Sequence, residues 1–97
     1  MNKITYEERK EIYAHALFAY GLEAQMVVAI EELSEVQKEL CKVLRSKGDM
    51  DHLAEEIADA TIMLEQMRYF LDLNDLVCRK MDEKVKRLDD RLTGGAV

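Results

Sequence analysis

The sequence predicts a single all-α domain, a four-helix bundle-like arrangement with two long antiparallel central helices. Three observations carry this. The 97 residues include no proline and only four glycines, so few positions break a helix. Ala, Leu, Met, Glu, Lys and Arg dominate, all strong helix formers. Apolar residues recur every three or four positions along two long stretches, with short polar connections between them. With 48% hydrophobic residues, a chain of this length builds one core, so residues 1–97 read as one domain.

Each helix has its own signals. Thr5-Tyr6-Glu7-Glu8 fits the T-x-x-E capping box, which starts a first helix near Tyr6; Gly21 ends it after Tyr20. A second helix runs from Leu22 to Leu44 or Arg45. Ser46 to Asp51, "SKGDMD", supplies a glycine stop and aspartates suited to capping the next helix. A third helix spans Met50 to Leu71. Asn74 caps a fourth, from Asp75 to Leu92, before "TGGAV" frays.

Charge and composition exclude several functions. The net charge of −6 comes without a basic face large enough to neutralise several phosphates, so nucleic acid is not an expected partner. No apolar run reaches the ~18 residues that span a bilayer, and "MNKITYEERKEIY" lacks the apolar core of a secretion signal. A soluble, cytoplasmic protein with no membrane partner is expected. Cys41 and Cys78 form no C-x-x-C pair and read as reduced and structural; neither has a nearby His or Gly-rich turn to activate a nucleophile.

The informative feature is acidic. "EELSE", Glu31 to Glu35, and "EEIAD", Glu55 to Asp59, repeat a carboxylate spacing of three on consecutive helices. At 100° per residue with Glu32 at zero, Leu22, Ala29, Leu33, Val36, Leu40 and Val43 fall within about +20° to +100°, Val28 near −40° and Gln25 near +20°. Glu32 therefore lies inside the apolar arc, Glu39 at about −20° and Glu35 at its edge, about 60° away. On the third helix Leu53, Ile57, Ala60, Met63, Leu64, Met67, Phe70 and Leu71 surround Glu56, with Asp59 about 60° round. Glu31 and Glu55 point outward.

A single E-x-x-E on a helix is ordinarily a solvated face or half of a surface ion pair. Here the acids interrupt apolar arcs on two helices that should pack together. Converging ionised carboxylates cost several kcal/mol without compensation. Lys38, Lys42 and Lys47 lie away from the arcs or at the helix end, so a divalent cation is the expected partner. All-oxygen ligands select Mg²⁺, with Mn²⁺ as substitute; a di-iron site wants an E-x-x-H on each of two helices, absent here. Of the two histidines, His15 and His52, His52 shares a face with Glu56, where a capping or surface role competes with an outer-ligand role. The midpoint of the two motifs falls at Arg45-Ser46. A hairpin centred there brings the acids level, whereas one centred on Gly48 offsets them by roughly 9 Å.

Glu32, Glu35, Glu56 and Asp59, set in "EELSEVQKELCK" and "HLAEEIADATIMLEQM", resemble the signature of the MazG-type all-α nucleoside triphosphate pyrophosphohydrolases, in particular the short single-domain branch of phages and bacteria. The resemblance covers Gly21 to Leu92; the first helix carries little of it. It implies that the four acids bind Mg²⁺ and that a nucleoside triphosphate is cleaved between its α and β phosphates, giving a monophosphate and pyrophosphate. Among the four, Glu35 is our choice for the residue that helps to orient the attacking water. The related short proteins end in a K-x-x-R-L word, here Lys84 to Leu88. Lys84 and Arg87, with Arg91 behind them, are then candidates to grip the outer phosphates, against a plain solvated face balanced by Asp82, Glu83, Asp89 and Asp90.

For the base, Gln25 faces the side of Glu32 and can offer a hydrogen-bonding edge, while Tyr69 or Phe70 can stack; structural roles compete in each case. Thr61, Ile62 and Met63 stand where relatives that prefer one base often use an aromatic, which leaves base preference open. A homodimer or homotetramer is expected because apolar Val27, Ile30, Ile62 and Tyr69 fall outside the main arcs. Within the superfamily, phosphoribosyl-ATP pyrophosphohydrolases usually carry a Tyr-His pair after the A-D word, which "ADATIM" lacks; a pyrimidine triphosphatase is the other variant. Outside enzymes, the alternative is a non-catalytic helical oligomerisation or regulatory module.

Overall fold

A computed structural model describes residues 3–94. It is all-helical: α1 spans Tyr6–Tyr20, α2 Leu22–Leu44, α3 Met50–Phe70 and α4 Asn74–Leu92, with no strand among the described residues. The fraying expected of "TGGAV" falls largely on residues 95–97, outside the described ones.

The helix starts follow from side-chain chemistry. Thr5 Oγ1 accepts from the Glu8 amide at 3.1 Å while Glu8 Oε1 accepts from the Thr5 amide at 3.1 Å, the reciprocal capping box. Gly21, at φ 87°, separates α1 from α2 in a conformation that a side chain would strain. Asp49 caps α3, its Oδ1 accepting from the Asp51 amide at 2.9 Å and from that of His52.

Two expected stops differ. The left-handed residue after α2 is Ser46, at φ 60°, not Gly48. Gly48 serves close approach instead: a Cβ there would lie 2.4 Å from Val43 Cγ2 and 2.9 Å from Val43 Cα. Asn74 does not cap α4. It is the first residue of that helix, after Leu73, and its Oδ1 accepts from Arg68 Nε at 3.1 Å. Arg68 also reaches Cys78 Sγ, at 3.2 Å, so the asparagine serves to tie the end of α3 to the start of α4.

The main packing is α2 against α3. The inward positions are Gln25, Ala29, Glu32, Val36, Glu39 and Val43 on α2, and Leu53, Glu56, Ala60, Met63, Met67 and Phe70 on α3, all buried or half-buried. Both sets step by alternating fours and threes, the spacing of a helix seam. Ala29 and Ala60 are both buried on this seam. The expected arc on α2 was broader: Leu22, Leu33 and Leu40 are exposed. One neighbour covers only part of so wide an arc, and α3 takes the part that contains the acids. Met26, Ile30, Leu33, Leu40 and Leu44 form a second stripe beside it, facing outward.

α1 rests against α2 and α3, burying Tyr13. α4 touches only α3 and has no buried residue. The chain is accordingly open: its radius of gyration is 16.6 Å, against about 12–13 Å for a compact chain of this length. Its accessible surface is 7885 Å², against roughly 5,700 Å² for a compact monomer of its size. No described helix is long and apolar enough to cross a membrane.

Candidate functional site

The α2/α3 seam brings the two acidic words together. Glu39 on α2 meets His52 on α3, and Glu32 meets Asp59. Both pairs are centred on Arg45-Ser46, so the motifs lie level. Glu32, Glu56 and Asp59 each offer a carboxylate oxygen within 4.8 Å of the others. Glu32 and Glu56 are half-buried and Asp59 is exposed. Val28, Ile62 and Met63 form the apolar wall of the slot that Glu32 and Asp59 line.

Electrostatics follow from the crowding. Burial, then the charges of Asp59, Glu56, Glu35 and Glu31, raise the pKa of Glu32 above the usual carboxylate range. No lysine or arginine pairs with any of the three converging acids among the described residues. Glu35 is not one of the three; it lies about one turn further along α2, half-buried, and acts on Glu32 through its charge.

A fourth acid extends the site. Glu39, 2% exposed, is the most deeply buried side chain described. Its Oε2 lies 3.1 Å from Lys42 Nζ and 3.5 Å from His52 Nε2. Lys42 therefore reaches the apolar arc after all: three residues on from Glu39, its stem carries the ammonium back over the preceding turn. His52 is no cap. Its Nε2 stands 3.7 Å from Glu56 Oε1 and its Nδ1 3.7 Å from Glu55 Oε2, so the ring bridges the acids of the two helices. The helical projection already put Glu39 beside Glu32; what it lacked was the partner from α3.

The other candidates divide. Gln25 is buried on the α2 seam, two turns from Glu32. Tyr69 is exposed and Phe70 half-buried. Lys84, Arg87 and Arg91 lie exposed on α4, which within one chain does not approach α2. Cys41 and Cys78 are free thiols.

Sequence reasoning missed a second polar group, between α1 and α3. Glu65 accepts from the Tyr13 hydroxyl and, through both oxygens at 3.3 Å, from Arg9 Nη1. Burial and the Glu65 carboxylate push Tyr13 up to about 12. Gln66 is buried beside it. Helical spacing marks Tyr13 and Gln66 as inward only once the position of α1 is known.

Comparison of the chain with family models, with curated proteins and with solved structures found no match. The chemistry therefore rests on the site: three hard oxygen donors crowded without a fixed cation, backed by a buried acid that has its own lysine and histidine.

Proposed function

We propose that the chain is a Mg²⁺-dependent nucleoside triphosphate pyrophosphohydrolase of the MazG-like type, built on an antiparallel α2/α3 pair. The observation that carries this is the convergence of Glu32, Glu56 and Asp59 within 4.8 Å. Their oxygen donors, their mutual repulsion and the raised proton affinity of Glu32 fit a hard divalent ion, Mg²⁺ or Mn²⁺. Glu32, Glu56 and Asp59 would hold it, with Glu35 at the edge. Bound there, the ion supplies charge neutralisation to the phosphates of the substrate.

The side chains then have distinct work. Glu35, next to the cluster but outside it, orients a water and takes its proton as the water oxygen attacks the α-phosphorus. The α–β bridging P–O bond breaks, and pyrophosphate leaves with a nucleoside monophosphate as the other product. Gln25 contacts the nucleoside. His52 and Lys42 hold Glu39 and position the acids above it.

Lys84 and Arg87 grip the outer phosphates once a second copy places α4. On α4, Val77, Met81, Val85, Leu88 and Leu92 make an apolar stripe about 80° wide. Lys80, Lys84, Arg87 and Arg91 lie along one flank; Asp75, Asp82 and Asp89 lie along the other. Such a helix wants a protein partner with opposite charge at its rim. The surplus of about 2,000 Å² of exposed surface matches a large interface between copies, a homodimer or homotetramer. The setting is the cytoplasm, with no nucleic acid involved.

Incubation with the common nucleoside triphosphates and Mg²⁺ tests the reading. Pyrophosphate and monophosphate should appear with at least one nucleotide. Release of inorganic phosphate alone, or no product from any nucleotide, sinks it in favour of a non-catalytic helical module.

A further inference from the structure

Among the described residues, the lysines and arginines that are not fully exposed are Lys10, Lys42 and Arg68. Lys10 pairs with Glu7 at 3.3 Å and Lys42 with Glu39 at 3.1 Å. Arg68 makes no ion pair with any described carboxylate. Its acceptors are Asn74 Oδ1, at 3.1 Å, and Cys78 Sγ, at 3.2 Å. Drawing a guanidinium partly out of water without an anion beside it is unfavourable. In a chain of net charge −6, acids to pair with it are not scarce, so the missing counter-charge points to a ligand.

Arg68 lines a cleft of about 220 Å³ where α1, α3 and the start of α4 meet. Tyr6 and Lys10 wall it from α1, Tyr69 from α3 and Asn74 from α4. Of the five N–H protons of a guanidinium, two are engaged here, so three remain. Asn74 turns its oxygen to Arg68 Nε, which can only donate, and its NH₂ is left for another acceptor. The Lys10 ammonium stands over the Tyr6 ring, 4.7 Å from its centre, a contact that helps to hold it in place. The acid in the wall, Glu65, is already engaged by Arg9 and the Tyr13 hydroxyl. The cleft therefore combines free donors with a surplus of positive charge.

We propose that this α1/α3/α4 cleft binds the phosphate group of a small molecule, with Arg68 as its principal contact and Lys10, Asn74 and the hydroxyls of Tyr6 and Tyr69 supplying further donors. The planar fork of an arginine matches two oxygens of such a group at once. A phosphate suits the cleft better than a carboxylate, because it offers at least three acceptor oxygens and more charge to a set of donors this large. The ligand is small, since the space falls below the roughly 300–1,000 Å³ of sites for drug-sized molecules. Arg68 lies nine residues along α3 from Asp59, about 13 Å at 1.5 Å per residue. It is thus a second site, apart from the acidic slot and independent of the hydrolase reading, and an anion held there needs no metal ion.

The test titrates the full chain with sodium phosphate, phenyl phosphate and sodium acetate, each against chloride of equal ionic strength. EDTA is present throughout, so that no metal bridges an anion to the acids. Calorimetry should show saturable phosphate binding at millimolar concentration or below, at least about tenfold tighter than acetate. Arg68→Met should weaken phosphate binding at least about tenfold, and Arg68→Lys, which keeps the charge without the fork, should recover only part. Lys10→Met leaves the tie between Arg68 and Asn74 intact and should also weaken binding; it decides the matter if circular dichroism shows Arg68→Met to be unfolded. Glu32→Gln should bind phosphate as wild type does.

Tighter binding of phenyl phosphate than of phosphate assigns the cleft to phosphate esters, whose ring has Tyr6 and Tyr69 to rest on; affinity no greater assigns it to the free anion. Absence of saturable binding overturns the site, as does acetate bound as tightly as phosphate. Phosphate affinity unchanged in Lys10→Met and in a folded Arg68→Met overturns it too. Cleavage of nucleotides is not read in any arm, so each of these results leaves the pyrophosphohydrolase reading to its own test.

Discussion

His52 Nε2 stands 3.5 Å from Glu39 Oε2, joining α3 to the most deeply buried acid on α2 six residues before the connection begins. A carboxylate so enclosed depends on its partners. Removing the main one, in Lys42→Ala, should cost about 1–3 kcal/mol, since the ammonium is itself partly exposed and its loss leaves the acid half-compensated. Lys42→Ala/Glu39→Gln should recover most of it, because the double variant no longer buries a charge. Urea denaturation of the single and double variants measures the difference; equal stability of wild type and Lys42→Ala would contradict the pairing.

At the crowded end of the seam the sign is reversed. The pKa of Glu32 is raised by burial and by Asp59, Glu56 and Glu35, so the folded state holds that proton more tightly than the unfolded chain. The associated stability is full below the unfolded carboxylate range and is lost as pH rises through the raised value. At neutral pH the metal-free protein therefore carries the repulsion. Glu32→Gln should melt higher than wild type in a chelator, while Mg²⁺, which should raise wild-type melting, should have at least about tenfold less affinity for the variant. Melting curves with and without Mg²⁺ decide it. A variant that melts lower in chelator, with Mg²⁺ affinity intact, would remove Glu32 from the site.

Tyr13, Glu65 and Arg9 bind α1 to α3. Tyr13→Phe leaves Glu65 with Arg9 only and should destabilise the fold by about 1–3 kcal/mol, the range for a hydrogen bond to a charged group. The phenol, raised to about 12, contributes stability that is whole below the ordinary tyrosine range and is lost as pH rises through 12. Ultraviolet titration of the four tyrosines should show one late step, missing from Tyr13→Phe.

The α4 stripe, with Leu88 and Val85 more than half exposed, should belong to an interface between copies. Leu88→Asp should shift the sedimentation of the full chain toward the monomer. A wild-type chain that sediments as a monomer at micromolar concentration would leave the surplus surface unexplained by self-association.

Gly48→Ala should destabilise by about 1–3 kcal/mol, since the new methyl meets the Val43 backbone as well as its side chain. Val43→Ala should relieve it only in part.

Much of this was legible in the chain. The capping box at Thr5, the stop at Gly21 and the limits of the two long helices follow from local rules, because each depends on a few neighbouring backbone groups. Local rules fail where a side chain has a better distant use. Asn74 looks like a cap and instead holds Arg68; Lys42 looks solvent-bound and instead reaches Glu39. The acidic pair of motifs was visible because carboxylates are rare on an apolar arc. Gln66 was not, since a glutamine near the end of a mixed helix carries no signal until its neighbours are placed.

By itself, then, the sequence determined four helices, their limits to within about a residue and the rotational position of Glu32 and Glu56, since all of these are set by propensity and a fixed helical pitch. The tertiary structure decided which part of the wide apolar arc on α2 is covered, that Glu32, Glu56 and Asp59 converge while Glu35 stands aside, and that α4 touches only α3. Those depend on how one helix turns about its axis against another, and that angle is chosen by the packing of the whole seam and by the partners found for each buried charge.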